Sequence, residues 1–238
     1  MLEEALQWLK DNVPQPIVTA DGKQFSTETF HPIEYKPELA GALRVNTLSG
    51  LADLVKFKFE GINENFIAHV VGPVQVDVVG IQSDTFGRRS RFVTAAPPDY
   101  RGFNFGQFME HQDFMLGLQQ DFVPNDDTAY LLQLAGNLTD EKVVTSADDG
   151  VTQTVGTRAG VTWKSQTAAK SRVTLAPYRT FAEIAQPQSV FILRMQSPKD
   201  PGIPKLALFE ADGGAWKKEA MDNIARFLST AIDIHVIS

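Results

Sequence analysis

Carboxylates are the side chains of this sequence most able to do chemistry, and four of them form the best candidate for a site. Asp148 and Asp149 are adjacent, while Glu210 and Asp212 are separated by one alanine. Paired carboxylates can bind Mg²⁺ or divide the roles of acid and base between them. A structural role is simpler, because Asp148 and Asp149 precede Gly150 in a predicted turn and Asp212 can cap a predicted helix. We expect no metal here and treat the four residues as a candidate acidic cluster.

The other residue types that support catalysis are absent or scattered. The chain has no cysteine, and none of its four histidines forms an HxxH or HExxH pair for zinc. Gly213-Gly214 before a predicted helix lacks the lysine and hydroxyl residue of a phosphate-binding loop. No GxSxG elbow presents a serine nucleophile. We therefore expect no catalytic residue, no enzymatic activity and no cofactor.

Basic residues are dense in one place only. Four arginines lie close together with two aromatic residues among them: Arg88, Arg89, Arg91, Arg101, Phe92 and Tyr100. Such a patch could follow a phosphate backbone and stack bases. The net charge of −7 opposes that interpretation unless the cations are concentrated. Contact with another subunit explains the same arginines, and we favour that alternative.

The elements that must position these residues follow from hydrophobic periodicity. The chain has 238 residues, of which 43% are hydrophobic and 21% charged, so we expect one α+β domain over residues 1–238. A short helix over 2–11 opens an extended N-terminal arm, residues 1–48, with short strands at 17–19, 33–35 and 43–47. Ser49 is expected to cap a helix that ends at Gly61.

Alternation of apolar and polar residues over 65–81 predicts a long strand, with Gly72-Pro73 as a bend inside it. Residues 89–95 return as a second strand, and together they predict an extended β-hairpin arm over 64–96. Apolar spacing from Phe105 to Phe122, with Asn104 as its cap, predicts a long central helix of about 17 residues.

The rest of the body, residues 104–238, reads as mostly strand in a mixed or antiparallel sheet. A shorter helix is predicted over 129–135, and Asp149-Gly150 predicts a hairpin. A final helix follows Gly213-Gly214 and carries Trp216, after which residues 231–237 close as a strand.

Several long segments of the chain resemble the YfdQ-like family of phage and prophage proteins. The similar segments are NTLSGLADLVKF, FGQFMEHQDFMLGLQQDF, SADDGVTQTV, LAPYRTFAEIAQPQSVFILRM and LFEADGGAWKKEA. The resemblance implies a protein of a mobile element in the cytoplasm of a bacterial host. It brings no catalytic residues, because none are assigned in that family.

Two functions from different classes remain open. The order of arm, hairpin, helix and β-rich body is similar to the phage capsid and encapsulin shell fold, which predicts a homo-oligomer, as a ring or shell. The alternative is an accessory factor in phage nucleic-acid metabolism or anti-defence that binds nucleic acid, a nucleotide or a phage or host protein. A metal-dependent hydrolase ranks last. The start Met1-Leu-Glu-Glu is unlike a signal peptide, and no apolar run is long enough to span a membrane, so we expect no membrane contact.

Overall fold

A computed structural model describes residues 2–12, 17–18, 24–25, 38–98, 102–138, 142–146, 153–159, 162–197 and 203–238. The α+β chain divides into two units, residues 1–39 and residues 40–238. The first unit contains helix α1 (Leu2–Asn12) and the antiparallel strands β1 (Ile17–Val18) and β2 (Gln24–Phe25). The predicted strand over 33–35 lies outside the described residues.

A five-stranded mixed sheet forms one half of the second unit. Its strands are β3 (Leu43–Val45), β4 (Phe66–Gly72), β5 (Gln75–Gly80), β6 (Arg91–Ala95) and β14 (His235–Ile237). Their order is β14-β4-β5-β6-β3. The three central strands are antiparallel, while β14 and β3 add to the edges in parallel.

Two helices, α2 (Leu48–Lys56) and α5 (Ala215–Ala231), cover one face of this sheet. The apolar side chains between them form the first core, which includes Leu51, Val78 and Ile224, all fully buried. Thr47 rather than the expected Ser49 caps α2, because its Oγ1 accepts the Gly50 N–H at 3.0 Å. A 3₁₀ turn over Phe59–Gly61 follows α2.

The segment 64–96 is not an extended hairpin arm. Gly72 is the last residue of β4 and Pro73 begins the turn to β5, so the single strand expected over 65–81 is two strands. With β6 they form a three-stranded meander whose inward side chains, such as Val76 and Val93, are fully buried in the first core. The prediction failed because alternation indicates which side chains share a face of a sheet but not where a strand ends. Pro73 interrupts the strand, since proline has no N–H to donate to a neighbouring strand.

A four-stranded antiparallel sheet forms the other half of the unit. Its order is β13-β12-β11-β7, with strands β7 (Phe122–Val123), β11 (Arg172–Pro177), β12 (Ser189–Gln196) and β13 (Lys205–Glu210). Helices α3 (His111–Asp121) and α4 (Asp126–Gly136) pack on it and enclose the second core. Asn125 caps α4, since its Oδ1 accepts the Thr128 N–H at 2.8 Å.

The long central helix expected from Phe105 onward is wrong, since α3 begins at His111 and has 11 residues. The segment before it runs along the edge of β13. Gly106, with a φ of 75°, donates its N–H to the Leu208 carbonyl, and Met109 forms an isolated bridge with Leu206. Phe105 has helical spacing, but its ring stacks on Phe191 of β12, 4.9 Å between centroids. The aromatic spacing thus reflects packing on a sheet.

A third sheet consists of three antiparallel strands, β8 (Lys142–Ser146), β9 (Gln153–Ala159) and β10 (Thr162–Ala169). Ser146 is opposite Gln153, which confirms the hairpin expected at Asp149-Gly150, although the turn residues themselves lie outside the described ranges. The final helix α5 and the closing strand β14 also confirm their predictions.

Candidate functional site

The segment between β11 and β12, residues 178–188, makes contacts with both cores. Phe181 is fully buried in the first core, although β11 belongs to the second. Glu183 Oε1 accepts the Ser49 N–H at 2.9 Å, in the first turn of α2. Thr180 donates its hydroxyl proton to the Pro73 carbonyl in the β4–β5 turn. These contacts tie the two halves of the second unit together and fix the position of Arg179.

Arg179 is the centre of a polar network that joins the two halves of the second unit. Its Nη1 lies 2.5 Å from Glu210 Oε1 at the end of β13, and its Nη2 donates to Ser189 Oγ on β12. Its Cζ lies 3.9 Å from the centre of the Trp216 ring in α5. Arg179 therefore joins β12 and β13 of the four-stranded sheet to α5, the helix that covers the five-stranded sheet.

Asp212 completes the network at the start of α5. Its Oδ2 accepts the hydroxyl proton of Ser189, and its Oδ1 accepts the Gly214 N–H at 2.9 Å. Gly213 and Gly214 have φ values of 64° and 81°, in the left-handed region that a side chain disfavours. The two glycines thus allow the tight turn that returns the chain over this carboxylate. Gly214 rather than the expected Asp212 is the N-cap residue of α5, and Asp212 holds the turn that precedes the helix.

Burial and charge act against each other in the network. Burial lowers the pKa of Arg179, an effect that the charges of Glu210 and Asp212 partly reverse. Burial raises the pKa of Asp212, but the Ser189 and Gly214 hydrogen bonds and the charge of Arg179 outweigh it and leave that pKa below 3.8. Within the described residues, Arg179 Nε and Trp216 Nε1 are buried without a hydrogen-bond partner.

The arrangement suits a structural role better than a chemical one. Ser189 is 3% exposed and its hydroxyl proton is committed to Asp212, so it is not presented to a substrate. Glu210 and Asp212 do come together as expected, but around an arginine. Asp148 and Asp149 lie outside the described residues. Among the residues that the structure covers, no three His, Asp or Glu side chains are grouped to hold a metal ion.

The predicted basic patch is a loop whose described arginines have partners within the chain. Arg88 contacts Asp84 through Nε at 2.8 Å and Nη2 at 2.7 Å. Burial raises the pKa of Asp84, but hydrogen bonds from the Arg88 backbone and side chain outweigh it and lower that pKa. Arg89 Nη1 donates to the carbonyls of Gly80, at 2.7 Å, and Ile81. These two arginines close the loop between β5 and β6.

The other two arginines of the predicted patch, Arg91 and Arg101, do not lie in this loop. Arg91 Nε lies 3.1 Å from Asp77 Oδ2 on β5, on the face of the five-stranded sheet opposite the first core. Arg101 lies outside the described residues. Asp77 is 2% exposed and also accepts hydrogen bonds from Gln75 and from Thr94, the latter at 2.8 Å. Sequence analysis missed this buried carboxylate, although its alternation with Val76 and Val78 was visible.

A cleft of about 500 Å³ opens where the C-terminal ends of α2 and α5 meet. Its wall has two positive and two negative side chains: Lys56, Lys58, Glu64 and Asp233. Lys58 in this wall and Glu60, two residues further along the chain, have φ values of 56° and 50°, which strains the backbone there. The balanced charge favours neither an anion nor a cation.

Comparisons with known proteins were made for the whole chain. No family model, curated protein or solved structure matches it. Among the described helices, α5 is the longest at 17 residues, and none has the length and apolar character needed to cross a bilayer.

Proposed function

We propose that this protein is a non-enzymatic, phage- or prophage-encoded protein that self-assembles into a homo-oligomer in the cytoplasm of a bacterial host. The phage assignment rests on the resemblance to the YfdQ-like family. The assembly rests on one observation, the three-stranded sheet β8–β10.

Among the residues that the structure describes, this sheet has few contacts with the other elements of its unit. Its strands pair with one another, and no described helix packs along them. The described contacts with the rest of the unit are at one end, where Ala169 enters the second core and Gln153 bonds the backbone of Met195. A small sheet needs a helix or a second sheet against it to be stable, and a second copy of the same chain is the commonest such partner.

The ring or shell arrangement is the finer part of the proposal. In it, the sheet β8–β10, rather than segment 64–96, is the arm that reaches a neighbouring subunit. Segment 64–96 is unsuitable because its apolar side chains are buried in the first core. An arm that docks on a different surface of the next copy is a head-to-tail contact, and such contacts continue until a ring or shell closes.

The absence of enzymatic activity is supported by the state of the polar side chains. Two carboxylates of the predicted acidic cluster lie in the described part of the chain, and both have partners. Glu210 forms an ion pair with Arg179, and Asp212 accepts a hydrogen bond from Ser189. Binding of nucleic acid through the basic loop is less favoured, because Arg88 and Arg89 are held by Asp84 and by backbone carbonyls.

The mass of the purified protein in solution tests the assembly. A matched variant replaces residues 139–168 by a flexible Gly/Ser linker, which can join Leu138 to Ala169 because both belong to the second core. We expect a multimer of the full chain at micromolar concentration and a folded monomer of the variant, with folding checked by thermal unfolding. A full chain that stays monomeric would contradict the proposal, as would a multimer that persists without the sheet.

A further inference from the structure

The five-stranded sheet has an open face opposite the first core. Alternation along each strand assigns the side chains to this face, because their neighbours Val45, Ala68, Val70 and Val236 pack in the first core. The strand register then arranges the outward residues in two rows across the sheet. One row runs Ile237, His69, Asp77, Thr94, Arg44, and the other runs His235, Ile67, Val79, Arg91.

Each row contains exposed arginine and histidine side chains near its two ends. Arg44, His69 and His235 are exposed, and the Arg91 side chain is 56% exposed. Neighbouring strands are about 4.8 Å apart and alternate residues about 7 Å apart, so these groups outline an area of roughly 15 by 7 Å. The half-buried aliphatic side chains Ile67 and Val79 lie between them.

Among the described residues of the two rows there is one carboxylate, Asp77, and it forms an ion pair with Arg91. Asp77 is 2% exposed, and its oxygens accept from Gln75, Thr94 and Arg91. The accessible charge in the two rows is therefore positive, although the chain as a whole carries −7. The exposed cations of the two rows therefore favour an anionic ligand that is long enough to contact both Arg44 and Arg91.

We infer that this open face binds single-stranded nucleic acid, with phosphates at Arg44 and Arg91 and bases against the imidazole and aliphatic side chains between the strands. A flat sheet cannot enter a groove of duplex DNA, whereas extended single strands lie across sheets and stack on their side chains. This site is independent of the proposed assembly.

Fluorescence anisotropy with a labelled oligothymidine of about 20 nucleotides tests the inference, with salt varied from about 50 to about 200 mM. We expect measurable binding at the lowest salt that weakens as salt increases. Arg44→Glu should reduce affinity by about tenfold or more, because an acid replaces a phosphate contact. The double variant His69→Ala/His235→Ala should weaken binding while changing the salt slope less, since it removes stacking.

The matched control is Arg172→Glu, the same charge change at an exposed position in the other sheet. It should bind like the unaltered chain, and thermal unfolding of each variant separates a loss of contact from a loss of fold. Three results would overturn the inference: no binding at the lowest salt, an equal loss in Arg172→Glu, or full competition by polyglutamate, which would indicate an acidic protein partner.

Discussion

The guanidinium carbon of Arg179 lies 3.9 Å from the centre of the Trp216 ring, although the two residues belong to different halves of the second unit. Trp216 is in α5, which covers the five-stranded sheet, whereas Arg179 follows β11 of the four-stranded sheet. The same guanidinium group forms an ion pair with Glu210 and a hydrogen bond with Ser189. Its removal should therefore affect the stability of the whole unit.

Replacing Arg179 by methionine should destabilise the protein by about 2–3 kcal/mol, because Ser189 and Glu210 lose a charged partner. Chemical denaturation measures the change. Arg172→Met is the control, since that arginine is exposed, and its effect should stay within about 0.5 kcal/mol. Equal effects of the two substitutions would show that the network contributes nothing.

Two aspartates should respond to pH in opposite directions. The pKa of Asp212 is lowered in the folded chain, so its contribution to stability is present above its ordinary value of 3.8 and is lost as pH falls through the lower, folded value. Burial raises the pKa of Asp121, so its ionisation costs stability as pH rises from 3.8 through the raised value.

Unfolding free energies of Asp212→Asn and Asp121→Asn, measured from acid to neutral pH against the unaltered chain, test this sign difference. Asp212→Asn should be the less stable protein at neutral pH and approach the unaltered chain in acid. Asp121→Asn should gain relative stability toward neutral pH. Parallel curves for the two variants would contradict the assignment.

Gln153 should be costly to remove, because its buried amide replaces a strand partner for Met195. Its Nε2 donates to the Met195 carbonyl at 2.8 Å and its Oε1 accepts the Met195 N–H at 2.7 Å. Gln153→Ala leaves both backbone groups unpaired and should cost about 1–3 kcal/mol in chemical denaturation. Gln119→Ala on the exposed side of α3 serves as the control and should change stability by less than about 0.5 kcal/mol. A comparable loss in both would show that the contact does not anchor β9.

Replacing each of two helical glycines by alanine should change the stability of the protein in opposite directions. At Gly136 the added Cβ meets only Met115 Cε at 3.9 Å, so Gly136→Ala should stabilise by about 0.5–1 kcal/mol through helix propensity. At Gly117 the Cβ would lie 2.8 Å from Phe103 Cδ2. Phe103 is enclosed by other aromatic rings, so Gly117→Ala should cost about 1–2 kcal/mol despite its better propensity. Thermal unfolding of both variants gives the comparison, and stabilisation at Gly117 would show that the ring moves aside.

Local signals in the sequence predicted the α+β class and several elements well. The periodic residues Ala220, Ile224 and Leu228 are the buried stripe of α5, and Asp149-Gly150 correctly placed the hairpin of β8 and β9. These signals depend on neighbours in the chain, which is why they could be read directly.

The predictions that failed concern residues whose structure depends on contacts with distant parts of the chain. The spacing of Phe105 and Phe108 fits a helix, but pairing of Met109 with Leu206 commits that segment to the edge of β13. The Arg179 network was missed as a whole because its partners come from β12, β13 and α5. For the same reason the sequence showed Arg44 and His69 as unrelated residues, although three strand pairings place them in one row.

The edge strand β14 has a consequence for the order in which the second unit folds. β4, β5 and β6 are joined by short connections and can pair as soon as they are synthesised, whereas β14 follows every other described element and pairs in parallel with β4. Until then the hydrogen-bonding edge of β4 is open, and α5 is absent from the first core. Pairing between distant segments slows folding and leaves such edges exposed to other chains. We expect the growing chain to be most prone to aggregation on the ribosome in the interval between synthesis of β6 and arrival of β14.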